Sequence, residues 1–268
     1  MFKRIFLIVD AGIEVRIVSM YATLISKSSK ASFFLVPYTN NKGVLENIDF
    51  IKKMAKEEGI DAEILEIKDD ILYGLNKIIR DKDLDLIITP LKRQENGLFF
   101  IGSFSQRLMK YALSSVMGIR IVKARPLKQH KKLLVPISDK DYNIKERLFL
   151  IEILSKSLNL SVSVLRCIKN PKGRFGKEEM QKTFLETKNY YSPFINQLKE
   201  KGIDTDLRIR ECEHATDGIL DETMASNYDL LFVKAKPQNT LKEFLIGNEV
   251  EDILRRTPSN LLFWRSRE

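Results

Sequence analysis

The segment KRIFLIVD, which starts at Lys3, is answered 128 positions later by KKLLVPIS, which starts at Lys131. Each is a short continuous apolar run closed by polar residues, the pattern of a strand buried on both faces of a parallel sheet. A strand of that kind cannot stand alone, because both faces need covering helices. The residues after each run supply them. Positions 13–28 place Val15, Val18, Tyr21, Ala22 and Ile25 largely at helical spacing, and 143–157 does the same in the second half.

The same alternation continues through both halves. Expected strands in the first half are 5–10, 32–37, 62–67, 85–89 and 119–123, separated by helices at 13–28, 44–58, 70–80 and 104–113. The second half repeats them as strands near 131–138, 160–166, 206–210, 229–233 and 260–264, with helices at 143–157, 177–200, 216–226 and 249–256. The closest internal match joins GIDAEILEIKDDILYGLNKI from Gly59 to GIDTDLRIRECEHATDGILDE from Gly202. Both begin on a glycine suited to a left-handed helix C-cap. An insertion at 170–176 widens the offset between the copies, as surface connections allow. Strand and helix in strict alternation call for right-handed crossovers and a doubly wound parallel sheet. The reading is therefore α/β, with tandem domains at 1–125 and 131–268 and a linker at 126–130 that carries Pro126.

Composition narrows the class. The chain has 268 residues, enough for two cores of ordinary size, with 44% hydrophobic and 30% charged residues. No run approaches the roughly 18 apolar residues of a spanning helix. The apolar stretch after Met1-Phe2-Lys3-Arg4 is too short for a signal-peptide core, so a cytoplasmic protein is expected. Two cysteines, Cys167 and Cys212, and two histidines, His130 and His214, make neither a disulfide framework nor a zinc set. The net charge of +9 is spread over both halves, and lysine pairs such as Lys52-Lys53 stand beside Glu57 and Glu58. Solvated helix faces explain that pattern better than a nucleic-acid footprint. Carboxylate pairs such as Asp69-Asp70 and Asp139-Asp141 fall at helix starts, where capping explains them. The lone Trp264, in LLFW, reads as packing.

Two features point further. Asp10 closes the first strand, and Gly102-Ser103 opens the run FSQRLMKYA as a helix. With the doubled pattern, the chain resembles the universal stress protein family in tandem form over nearly all its length. The resemblance implies sheets of five parallel strands in the order 3-2-1-4-5. It also implies that the fifth strands, 119–123 and 261–265, meet in an intramolecular pseudo-dimer, with further dimerisation left open. In that family a loop of form G-x2-G-x9-G-[ST] receives phosphates on glycine amides and a helix N-terminus.

Carried over by position, the first domain's nucleotide contacts would be Asp10, Val36, Thr89, Lys92, Gly102, Ser103 and Phe104. The second copy would offer Ser138, Lys234, Pro237, Gly247 and Asn248. Thr89 and Lys92, or Pro90 and Arg93 with a one-residue gap, stand where glycines are needed, and Pro237 also lacks an N–H. Ser138 replaces the aspartate. The expectation is a binding or regulatory protein with no ATP in the second domain and at most a vestigial nucleotide site in the first. An ATP- or AMP-binding protein with weak hydrolysis or transfer activity is the alternative. Basic residues Lys92, Arg93, Lys234 and Lys236 could serve a small anion instead. No catalytic residue or metal is assigned. ATP or another adenine nucleotide is the only cofactor in view, and a protein partner is the other kind expected. Nucleic acid and membrane are not.

Overall fold

The computed structural model describes residues 2–79, 85–95, 97–99, 103–138, 144–170, 175–235 and 247–267, without the side chains of 144, 247 and 248. Strands β1 (Arg4–Val9), β2 (Ser32–Pro37), β3 (Ala62–Ile64), β4 (Asp85–Pro90) and β5 (Ser115–Arg120) alternate with helices α1 (Glu14–Ser29), α2 (Lys42–Glu57), α3 (Ile71–Ile78) and α4 (Phe104–Tyr111). The second series comprises β6 (Lys132–Ile137), α5 (Ile144–Leu158), β7 (Ser161–Lys169), α6 (Lys177–Glu200), β8 (Thr205–Cys212), α7 (Ala215–Ala225), β9 (Leu230–Lys234), α8 (Gly247–Arg256) and β10 (Asn260–Arg265).

The chain forms two compact units. One contains Met1–Ala124 with Ala235–Arg255 and Leu261–Glu268; the other contains Arg125–Lys234 with Arg256–Asn260. In the first, parallel pairing runs β3-β2-β1-β4-β5. Ile5 to Val9 are almost wholly buried, as a central strand with helices on both faces requires. Strand β10 lies antiparallel to β5, with Phe263 opposite Gly118 and Trp264 opposite Met117. Trp264 is fully buried. In the second unit the parallel order is β9-β6-β7-β8.

Local signals account for most boundaries. Asn41 accepts a hydrogen bond from Val44 N–H and Asp70 one from Tyr73 N–H, so both act as N-caps. The Asn41 cap starts α2 at Lys42, two residues before the apolar pattern begins. Gly59 and Gly202 adopt φ of +77° and +76°, the matching left-handed residues after α2 and α6.

The fifth strand departs from expectation. It occupies Ser115–Arg120 instead of 119–123. Gly118 reads as a breaker in sequence, yet it sits mid-strand because the Leu91 side chain passes where a Cβ would be, at 2.7 Å. Residues 126–130 carry a 3-10 turn at Leu127–Gln129, and both Leu127 and His130 are buried. The His130 ring contacts Leu127 O through Nδ1 at 2.8 Å and the Asn260 amide through Nε2 at 3.3 Å.

Candidate functional site

Parallel order places the carboxyl ends of β1 and β4 side by side, and open α/β sheets hold ligands beyond such ends. A cleft of about 540 Å³ lies there in the first unit, within the range of small-ligand sites. Its walls come from β1 (Ile8, then Asp10), the residue after β2 (Tyr38), β4 and the loop after it (Thr89, Pro90, Lys92 to Glu95, and Phe99), and the start of α4 (Ser103 to Ser105).

The floor is polar and already engaged. Lys92 Nζ donates to Asp10 Oδ1 at 2.6 Å and lies 4.0 Å from Glu14 Oε2. The same Asp10 oxygen accepts Gly12 N–H at 2.9 Å. The lysine amine reaches so close to Gly12 that a Cβ there would be 1.8 Å from Nζ. Asn47 Nδ2 donates to the Asp10 and Gly12 carbonyls, and its Oδ1 accepts from Arg16 Nε at 2.7 Å. Asp10 is thus held in place by its backbone and neutralised by a side chain from the opposite wall.

A phosphate cradle needs amides pointing at the ligand. The loop after β4 turns several of its own elsewhere. Leu91 N–H donates to Ile119 O at 2.8 Å, Gln94 N–H to Leu98 O at 2.6 Å, and Gly97 N–H to Gln94 O at 2.9 Å. Arg93 Nε reaches the Gly97 carbonyl at 3.2 Å. At the start of α4, Ser103 Oγ accepts Gln106 N–H at 3.0 Å, an ordinary N-cap. Thr89 Oγ1 and Ser105 Oγ are 3.3 Å apart, and each is also within hydrogen-bond reach of Pro90 O. Two aromatic rings flank the opening: Tyr38 and Phe104 have centroids 5.1 Å apart at 50°.

Of the positions singled out in the sequence, Asp10, Thr89, Lys92, Ser103 and Phe104 come together in this cleft, with Pro90 and Arg93. Val36 does not line it; it is fully buried in β2. Gly102 lies outside the described residues. Of the second repeat's positions, Ser138 follows β6 and Lys234 ends β9, while Lys236 and Pro237 lie outside the described residues. Gly247 and Asn248 open α8.

Sequence reasoning missed Tyr38, Gln94, Glu95, Phe99 and Ser105. Tyr38 was accessible to it, since it follows the carboxyl end of a strand. Phe99 has no local signal. Its N–H donates to Glu251 Oε1 at 2.7 Å, 152 positions away. Elsewhere, burial pushes the Cys167 thiol up to about 12, which leaves it a packing group rather than a nucleophile. Among the described residues no three His, Cys, Asp or Glu side chains converge as a metal site.

No family model matches the chain, and no curated protein matches it. Solved structures do. A Pseudomonas aeruginosa UCBPP-PA14 protein assigned provisionally to the universal stress proteins aligns with 99% of this chain and 94% of its own, at 16% identity and TM-score 0.69. A universal stress protein from Archaeoglobus fulgidus aligns over 99% and 97%, at 11% identity and TM-score 0.63. The cytoplasmic domain of a prokaryotic cation chloride cotransporter aligns over 98% and 95%, at 11% identity and TM-score 0.64. At such identities the likeness is one of fold: this is the α/β fold of universal stress proteins, and these structures share it across nearly the whole chain.

Proposed function

We propose that this is a universal-stress-type binding or regulatory protein of the cytoplasm, with no ATP site in the second copy and a vestigial nucleotide site in the cleft of the first. One observation carries the reading: Lys92 neutralises Asp10 from within, while the amides of Leu91, Gln94 and Gly97 in the neighbouring loop are already bonded to backbone carbonyls. A triphosphate would meet side chains where the fold's nucleotide loop needs bare backbone. A planar ligand with one anionic group asks for less. The Tyr38–Phe104 pair offers an aromatic wall and Arg93 a nearby cation, so an adenine monophosphate or a small anion is the ligand the cleft suits best. The repeats at 1–125 and 131–268 belong to the same reading as a division of the sequence, and the antiparallel pairing of β5 with β10 supports its pseudo-dimer of fifth strands. A cytoplasmic setting is supported by the cotransporter domain of the same fold, which is itself a cytoplasmic domain.

Isothermal titration with AMP, ADP and ATP tests the reading. The expected result is one weak site, with a Kd of about 0.1 mM or weaker and no gain from AMP to ATP. Micromolar ATP at two sites per chain would overturn it. Steady phosphate release by the purified protein would move the reading to a nucleotide hydrolase.

A further inference from the structure

We propose that Glu251 is the positioning residue of the first unit's cleft, holding the wall at Phe99 in the geometry that receives a ligand. The inference rests on the reading of that cleft as a binding site. Glu251 lies on α8, behind the cleft and far in sequence from the residues that line it, and is only 6% exposed. Its Oε1 accepts the Phe99 N–H at 2.7 Å. The Arg120 guanidinium stands 4.5 Å from the centroid of the Phe99 ring. Burial lowers the Arg120 pKa, and the Glu251 carboxylate opposes that shift.

A nearly buried carboxylate is costly unless hydrogen bonds and an opposite charge compensate it. Here the compensation comes from the backbone of one cleft wall and from the arginine packed on that wall's ring. The near end of the same loop is pinned by Leu91 N–H on Ile119 O, and its middle turns back on itself through Gln94 and Gly97. Glu251 anchors the far end. Whatever sets the position of α8 therefore sets the cleft.

Two variants and two readouts test this. Hydrogen exchange of the Phe99 amide reads the anchor without any ligand, and AMP titrated to about 10 mM reads its effect on binding. Glu251→Ala is expected to speed Phe99 exchange by about tenfold and to weaken AMP by about threefold to tenfold, with exchange in β1 unchanged as the sign of an intact fold. Glu251→Gln keeps a carbonyl acceptor and is expected to stay within about twofold of the parent in both. Unchanged Phe99 exchange in Glu251→Ala would overturn the proposal, as would equal losses in the two variants, which would mean that charge and not position matters. Faster exchange with unchanged AMP affinity would also overturn it, because the anchor would then be structural only. If the parent protein takes up no AMP, the binding reading of the cleft fails, and the exchange result still decides whether Glu251 anchors the loop.

Discussion

Asp85 and Asp229 stand at corresponding places in the two repeats, Asp85 as the first residue of β4 and Asp229 just before β9, and each is buried with its charge answered. Asp85 receives the Arg4 guanidinium at 2.6 and 3.1 Å. Asp229 receives the backbone N–H groups of Lys131 and Lys132 at 2.6 and 3.0 Å, and Arg125 at 2.7 Å. The donors differ, but the role is the same: a carboxylate ties the start of the fourth strand to the first. The opposite ends of the strands tell another story. Beyond β1 stands the Asp10–Lys92 pair beside an open cleft. In β6, Pro136 occupies the position of Ile8 and supplies no N–H, and β6 meets β9 at only Leu133 and Leu134. Arg147, 1% exposed, donates to the Pro136 carbonyl and lies 5.9 Å from the Phe232 ring centroid. Where the sheet must be held, the copies solve one problem twice; where a ligand would sit, they have parted.

The largest effects should come at the conserved end. Asp85→Ala and Asp229→Ala should each cost about 3 kcal/mol in urea unfolding, since each leaves a charged or amide donor without its buried acceptor. A cost below about 1 kcal/mol for either would break the equivalence. The next effect belongs to the divergent end. Lys92→Ala should remove less than about 1 kcal/mol of stability, because the pair is only partly buried. It should tighten adenosine by about tenfold, because the freed Asp10 carboxylate can accept hydrogen bonds from an uncharged nucleoside without repelling it. Weaker adenosine binding in that variant would mean that Lys92 contacts the ligand.

The smallest effect concerns the connection between the copies. Burial holds the His130 imidazole below its ordinary pKa of 6.5, outweighing the Leu127 carbonyl and Asp229, which raise it. Its folded form is therefore neutral where the unfolded chain already takes a proton. Stability from this group is full above pH 6.5 and falls as pH drops towards the folded pKa, by at most about 1.4 kcal/mol per unit. His130→Asn should flatten the slope of stability against pH just below 6.5. An unchanged slope would show that the buried ring is not its source.

The alternation of buried runs and amphipathic helices was legible residue by residue, down to the Asp70 cap and the glycines at 59 and 202. The fifth strand was not, because Gly118 looks like a break until the Leu91 side chain fills its missing Cβ. Asp10, Thr89, Lys92 and Ser103 were singled out by position along a family pattern, and they line one cleft. Their state was not legible, since nothing local says that an ammonium 82 positions away will reach Asp10.

Periodicity and caps act between near neighbours in the chain, so the sequence by itself determined the α/β class, and its internal repeat pointed to the strand ends where a ligand is proposed. Which groups there face a ligand and which already face one another depends on side chains brought together across more than 80 and more than 150 positions, Lys92 on Asp10 and Glu251 on Phe99. Charge and burial act through space rather than along the chain. Only the tertiary structure could decide that the first cleft is partly closed by its own lysine and held open on its far wall by a carboxylate from α8.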